Sequence, residues 1–218
     1  AVEVLFCNVN TMRDGAPERP PSRKWNPDPS QGANTLTIAN GHAIHAFRMV
    51  LGNLTRVACM VTTQVPKVYE TDTQKFVDVT SPDNVRVCGQ LESGAAASVH
   101  VGAVPWAGGG FRMEIYGRKG TLVATSEDSP QLGEVYLQGA QGTDNLEDIT
   151  VPDKHTNVLE GMPKGPPHNV GQLYFQFGAA IRGQSATYPD FDTAVDLHRL
   201  IDNIRLASDD GRTVGTAG

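Results

Sequence analysis

Residues 85–104 read VRVCGQLESGAAASVHVGAV, and this stretch decides the fold. Val85, Val87 and Leu91 alternate with Arg86, Cys88 and Gln90. Val99, Val101 and Ala103 alternate with Ser98 and His100. A period of two with one apolar side is the mark of a half-buried strand. Two strands are expected, Val85–Glu92 and Ala95–Val104, turning at Ser93-Gly94. The pattern continues downstream. Phe111–Tyr116 sets Met113 and Ile115 against Arg112, Glu114 and Tyr116. Thr121–Thr125 follows after Gly117-Arg118-Lys119-Gly120. A sheet apolar on one face only is antiparallel and covered by helices on that face, so the other face meets water or a partner subunit.

Upstream, Val2–Asn10 reads as a first strand. The segment 13–31 carries Pro17, Pro20, Pro21, Pro27 and Pro29, which rule out a helix. A helix is expected over 34–51, where Ile38, Ile44, Phe47 and Leu51 recur at helical spacing before Gly52. His42 and His45 share one of its faces. A β-branched strand follows at Arg56–Gln64, and weaker strands at Val135–Leu137 and Ile149–Val151. Two helices close the chain. Asn169–Arg182 has an apolar stripe of Val170, Leu173, Tyr174, Phe177 and Ile181, with Asn169 or His168 as cap. Phe191–Ser208 has Ala194, Leu197, Ile201 and Ile204, with Asp190 as cap and Gly211 past its end. This order is α+β: a large, mostly antiparallel open-faced sheet with helices packed on one face. Residues 1–218 are expected to form a single domain.

The bulk properties exclude some classes of function. Hydrophobic residues make up 39% and charged residues 19% of 218, a globular balance. The net charge of -6, with Lys and Arg scattered, argues against nucleic acid as a partner. No apolar run reaches the ~20 residues that span a membrane, so no membrane partner is expected. Cys7, Cys59 and Cys88 lie far apart in apolar segments and read as three buried thiols, which fits a reducing, cytoplasmic setting. No G-x-G-x-x-G follows a strand and no G-x-x-x-x-G-K-[ST] occurs. Gly108-Gly109-Gly110 falls between strands and reads as a loop. The sequence therefore holds no motif for binding a nucleotide phosphate.

Three segments carry a family resemblance: WNPDPSQGANTLTIANGHAIHAFRMVLG (25–52), MEIYGRKGTLV (113–123) and PDFDTAVDLHRLIDNIRLASDDGRTV (189–214). Their order and spacing resemble the C-terminal domain of the Gfo/Idh/MocA oxidoreductases. Residues 35–42, 78–84 and 98–106 are most similar to the branch containing the yeast galactose-regulon repressor. The resemblance implies that a Rossmann half, absent from this chain, lies upstream in the intact protein and binds NAD or NADP. No cofactor is expected on this chain alone. It also implies a sugar-like substrate and a homo-oligomer formed through the open sheet face of Arg86, Gln90, Arg112, Glu114 and Tyr116.

Site residues follow in the same way. Family enzymes pair an Asp with a His four residues later; the His matches His42, while the Asp position holds Ile38. Isoleucine cannot hold the second imidazole nitrogen, a task left to Asn40 or a main-chain carbonyl. His45 stands where relatives often carry Asp. His42 is the expected catalytic group, and Asn40, His45, Trp25 and Trp106 are the expected substrate contacts. Read without the resemblance, His42 and His45 are a polar helix face, and the two tryptophans are core or interface fillers. His100, His155 and His198 read as interface, loop and solvated residues. Two functions are implied: part of a sugar or polyol dehydrogenase, or a regulatory protein that binds dinucleotide without turnover.

Overall fold

A computed structural model of the chain describes residues 3–15, 18–104, 106–184 and 189–216. Val2, expected to open the first strand, and Pro17 lie outside the described residues. The main sheet has nine strands. β1 is Val4–Asp14, β3 Leu54–Thr62, β6 Asn84–Leu91, β7 Ala96–Val104, β8 Gly110–Gly117, β9 Gly120–Ser126, β10 Tyr136–Gln141, β11 Glu147–Ile149 and β12 Val214–Gly215. Their spatial order is β11-β10-β9-β8-β1-β7-β6-β3-β12. Every pairing is antiparallel except β1 with β7, which run parallel with Val9 opposite Val99. A parallel pair needs a long crossover, and 81 residues separate Asp14 from Ala96 in this one.

Alternation sets the two faces. Val9, Val85, Val87, Val99, Val101 and Met113 are all buried on the inner face. Two helices cover it. α1 (Asn40–Leu51) contributes Ala43, Ile44 and Phe47, and α3 (Phe191–Asp210) contributes Leu200, Ile201, Ile204 and Ala207. Each such buried side chain contributes about 1.5–3 kcal/mol through loss of water contact. The β6–β7 turn closes with Gly94 at φ +87, a conformation that glycine adopts without steric cost. The outer face carries Arg86, Cys88, Gln90, Ser98, His100, Arg112, Glu114 and Tyr116. Phe6 stacks on Tyr116 there, with ring centroids 4.7 Å apart. Cys88 is exposed on this face, in contrast to the expected buried thiol, because it alternates with the buried Val85 and Val87 along β6. Burial pushes Cys7 up to about 11 and Cys59 to about 12, so both stay thiols at neutral pH.

Three local features depart from the sequence reading. The helix expected from residue 34 opens with a π turn, Thr35–Ala39, before α1 begins. Asn34 caps that turn, accepting from the Leu36 and Thr37 amides, and Thr37 Oγ1 accepts from the Asn34 amide in return. Residues 65–80, which carry no period-two run, form a hairpin of β4 (Lys67–Glu70) and β5 (Lys75–Asp78). With β2 (Glu18–Arg19) it makes a second, three-stranded sheet. α2 (Pro166–Ile181) starts earlier than expected, from Gly165, with no side-chain cap; His168 and Asn169 lie inside its first turn. Asn169 instead donates to the carbonyl of Gln131 at 3.0 Å. No described helix is long and apolar enough to cross a membrane.

Candidate functional site

The small sheet positions the proline-rich loop. Lys24 pairs with Asp72 of the β4–β5 turn at 2.7 Å, and the Thr71 amide donates to the Arg19 carbonyl at 3.1 Å. The Thr80 and Ser81 amides both donate to the Pro27 carbonyl at 3.0 Å. These bonds fold residues 18–31 over the end of β1 and β7, next to the π turn that leads into α1. A cleft of about 260 Å³ lies between them. It is lined by Arg13 and Asp14 at the end of β1, by Arg19, Arg23 and Trp25 of the loop, and by Asn34, Thr35 and Ile38 of the helix start. Pockets for drug-sized ligands run to about 300–1,000 Å³, so this cleft suits one small polar molecule.

His42 follows Ile38 by four residues on the continuing helix. It meets solvent, while the part of the ring against the protein is desolvated. That desolvation, ahead of the charges of Arg13 and His45, holds its pKa below the ordinary histidine value. His42 is therefore neutral at neutral pH and able to accept a proton. His45, half-buried, is lowered by desolvation and then by Arg48. Ile38 is 41% exposed and lines the cleft, so a hydrocarbon side chain occupies the position that relatives give to a carboxylate.

The remaining expected contacts divide. Trp25 lies in the cleft wall, 41% exposed, with its indole N–H donating to the Ser22 carbonyl at 2.9 Å. That bond holds the ring plane while leaving a face free. Asn40 is fully buried, which corrects its expected role beside a ligand. Its amide donates to the Leu36 carbonyl at 3.3 Å and its side-chain oxygen has no partner. It lies one helical turn before Ile44, on the core side of α1. Trp106 lies past β7, 74% exposed, and does not line the cleft. The loop that holds it is pinned at Gly108, where a Cβ would sit 2.2 Å from the Met12 carbonyl oxygen. That close approach fills the space beside the Gly108–Gly110 run with β1 backbone, so the run does not fit a phosphate. Among the described residues, no group of three His, Cys, Asp or Glu could hold a metal ion.

Sequence reasoning missed the three arginines. Arg13 ends β1 while Arg19 and Arg23 are scattered in a loop without periodicity, and the pairing of β2 with a distant hairpin brings that loop to the strand end. Arg13 lies 3.3 Å from Asp128 through its Nε. Partial burial and then the charge of Arg23 push Arg19 below the usual guanidinium range, while Asp83 pulls the other way.

An open nine-stranded sheet with helices on one face is the fold of the C-terminal domain of Gfo/Idh/MocA oxidoreductases. The family described as Gal80p, C-terminal domain, matches residues 10–126, more than half of the 218, and the chain belongs to it. No curated protein sequence matches the chain. Among solved structures, the super-repressor mutant of Gal80p from Saccharomyces cerevisiae is similar, at 18% identity and TM-score 0.81, over 99% of this chain and 59% of that one. Levoglucosan dehydrogenase in complex with NADH and L-sorbose has 19% identity and TM-score 0.79, again over 99% and 59%. An NAD binding oxidoreductase from Klebsiella pneumoniae has 17% identity and TM-score 0.81, over 99% and 59%. At these identities the likeness is one of fold. The chain spans 59% of the length of each of these three proteins.

Proposed function

We propose that this chain is the substrate-binding and oligomerising part of an NAD(P)-dependent oxidoreductase acting on a sugar or polyol hydroxyl. The carrying observation is a neutral, solvent-facing His42 that does not itself line the cleft but follows by four residues Ile38, which lines it together with Trp25 and the arginines at one end of the sheet. Oxidation of an alcohol carbon removes a proton from its oxygen and a hydride from the carbon. An imidazole nitrogen of His42 takes the proton, and Trp25 offers a face to the sugar ring. NAD or NADP, when bound in the intact protein, would supply the hydride acceptor. The outer sheet face, with its Phe6–Tyr116 stack and ordered side chains, supports pairing with a second copy. A single-chain mass by light scattering at micromolar concentration would count against that pairing.

The test is turnover by the full-length protein with NAD or NADP over a panel of sugars, read as reduced nicotinamide. His42→Gln is expected to lower kcat by about 10²–10⁴-fold. Wild-type activity is expected to rise with pH through a value below the ordinary ~6.5 of histidine, because the base must be deprotonated, and the variant is expected to lose that limb. Unchanged activity in His42→Gln would overturn the assignment.

A second reading rests on Ile38, which offers no acceptor to orient the His42 ring. In that reading the protein senses dinucleotide or sugar without turnover. It predicts binding of NAD or NADP by the wild type with no reduction, and a gain of activity in Ile38→Asp. Robust wild-type turnover would exclude it.

A further inference from the structure

We infer that the cleft between Arg19, Arg23 and Trp25 takes the anionic group, carboxylate or phosphate, of an acidic sugar. This inference rests on the reading of the same end of the sheet as a substrate site, and it names the substrate class.

Charge bookkeeping around the cleft carries the argument. Among the described residues, Arg19, Arg23, Arg48, Arg56, Arg86 and Arg182 have no carboxylate within ion-pair distance, and of these six Arg19 and Arg23 line this cleft. Arg19 Nε is buried with no hydrogen-bond partner. Two carboxylates stand nearby. Both oxygens of Asp83 are committed, to the Gln64 amide at 2.8 Å and the Val65 amide at 2.7 Å. Asp14 lines the cleft without pairing to either arginine. Arg19 and Arg23 are also close enough for one charge to act on the other. Gathering like charges in a half-buried cleft of a protein with net charge -6 costs stability, and an anion reverses the sign of that term.

The geometry suits a specific anion. A guanidinium presents a planar fork that matches carboxylate or phosphate oxygens two at a time. Lys24, the other cation of the loop, is held by Asp72 and does not compete. Trp25, with its N–H held by the Ser22 carbonyl, sets an aromatic plane in the same wall, against which the apolar face of a sugar ring can lie. Arg13 lines the same cleft and is close enough to His42 for its charge to act on the imidazole.

Calorimetric titration of the full-length protein with glucuronate, glucose 6-phosphate, glucose and inorganic phosphate tests this. One of the two acidic sugars is expected to bind at least tenfold more tightly than glucose, and which one it is separates a carboxylate from a phosphate site. Arg23→Gln, at an exposed position, and Arg19→Lys, which keeps the charge but loses the fork, are each expected to weaken that binding by about tenfold while leaving the melting temperature near wild type. Binding of phosphate with no acidic sugar, still sensitive to both variants, would keep the anion site and remove the sugar. Equal affinity for glucose and both acidic sugars, or affinities unaltered in both variants, would overturn the proposal. The readout is binding and not turnover, so loss of the oxidoreductase reading leaves the result interpretable.

Discussion

α2 and α3 carry the same kind of signal and meet different fates. Each has apolar residues at helical spacing and ends at a glycine. α3 buries Leu200, Ile201, Ile204 and Ala207 against β3 and α1. α2 buries Ala179, while Val170, Leu173, Tyr174, Phe177 and Ile181 stay exposed, Ile181 at 72%. Polar links attach it instead. Gln172 accepts from the Asn157 amide at 2.8 Å and donates to the His155 carbonyl at 2.9 Å, and Lys164 pairs with Glu134. The difference teaches that periodicity reports a face that wants burial and not the surface that buries it.

The comparison can be broken at its packed end first. Phe47 is fully buried where α1 meets the sheet and α3. Phe47→Ala is expected to destabilise the chain by about 3–5 kcal/mol, from lost transfer energy and the cavity left behind. Chemical denaturation would read it, and a loss under ~1 kcal/mol would mean the helix layer is loosely packed. The cap comes next. Asp190 accepts from the Thr193 amide at 2.8 Å and starts α3, whereas α2 starts from an uncapped Gly165. Asp190→Ala is expected to lower the denaturation midpoint by less than Phe47→Ala does, through loss of the cap. The same carboxylate is held below the usual range by Thr193, so its contribution is present at neutral pH and fades as pH falls through that lowered value. The smallest effect belongs to α2. Phe177→Ser with Ile181→Ser is expected to shift the stability of this chain by no more than about 0.5 kcal/mol per site. A large loss in the same denaturation experiment would show that the stripe is packed after all.

The sheet was legible because alternation is local. Val85–Leu91 and Val99–Ala103 declare their inner face within a few residues each, and the observed strands fall within two residues of the expected bounds. The α3 ends were legible for the same reason, from Asp190 and Gly211. The β4–β5 hairpin was not, since Val68 and Val77 pair across a polar turn with no run on either side. The site was half legible. His42, His45 and Trp25 could be singled out from residue type and family likeness, and of these Trp25 lines the cleft, while Asn40 shares the buried face of Ile44 and Phe47.

The amino-acid order by itself determined an α+β chain, the inner and outer faces of its sheet, the helix starting near residue 34 and the missing phosphate motif. Each follows from steric and hydrophobic preferences acting over one to four residues. Tertiary structure alone decided that Arg13, Arg19, Arg23 and Trp25 share one cleft, that Asn40 turns inward and that the α2 stripe lies open. Those outcomes depend on which distant strands pair, and a loop without periodicity has no local rule that fixes its side chains in space.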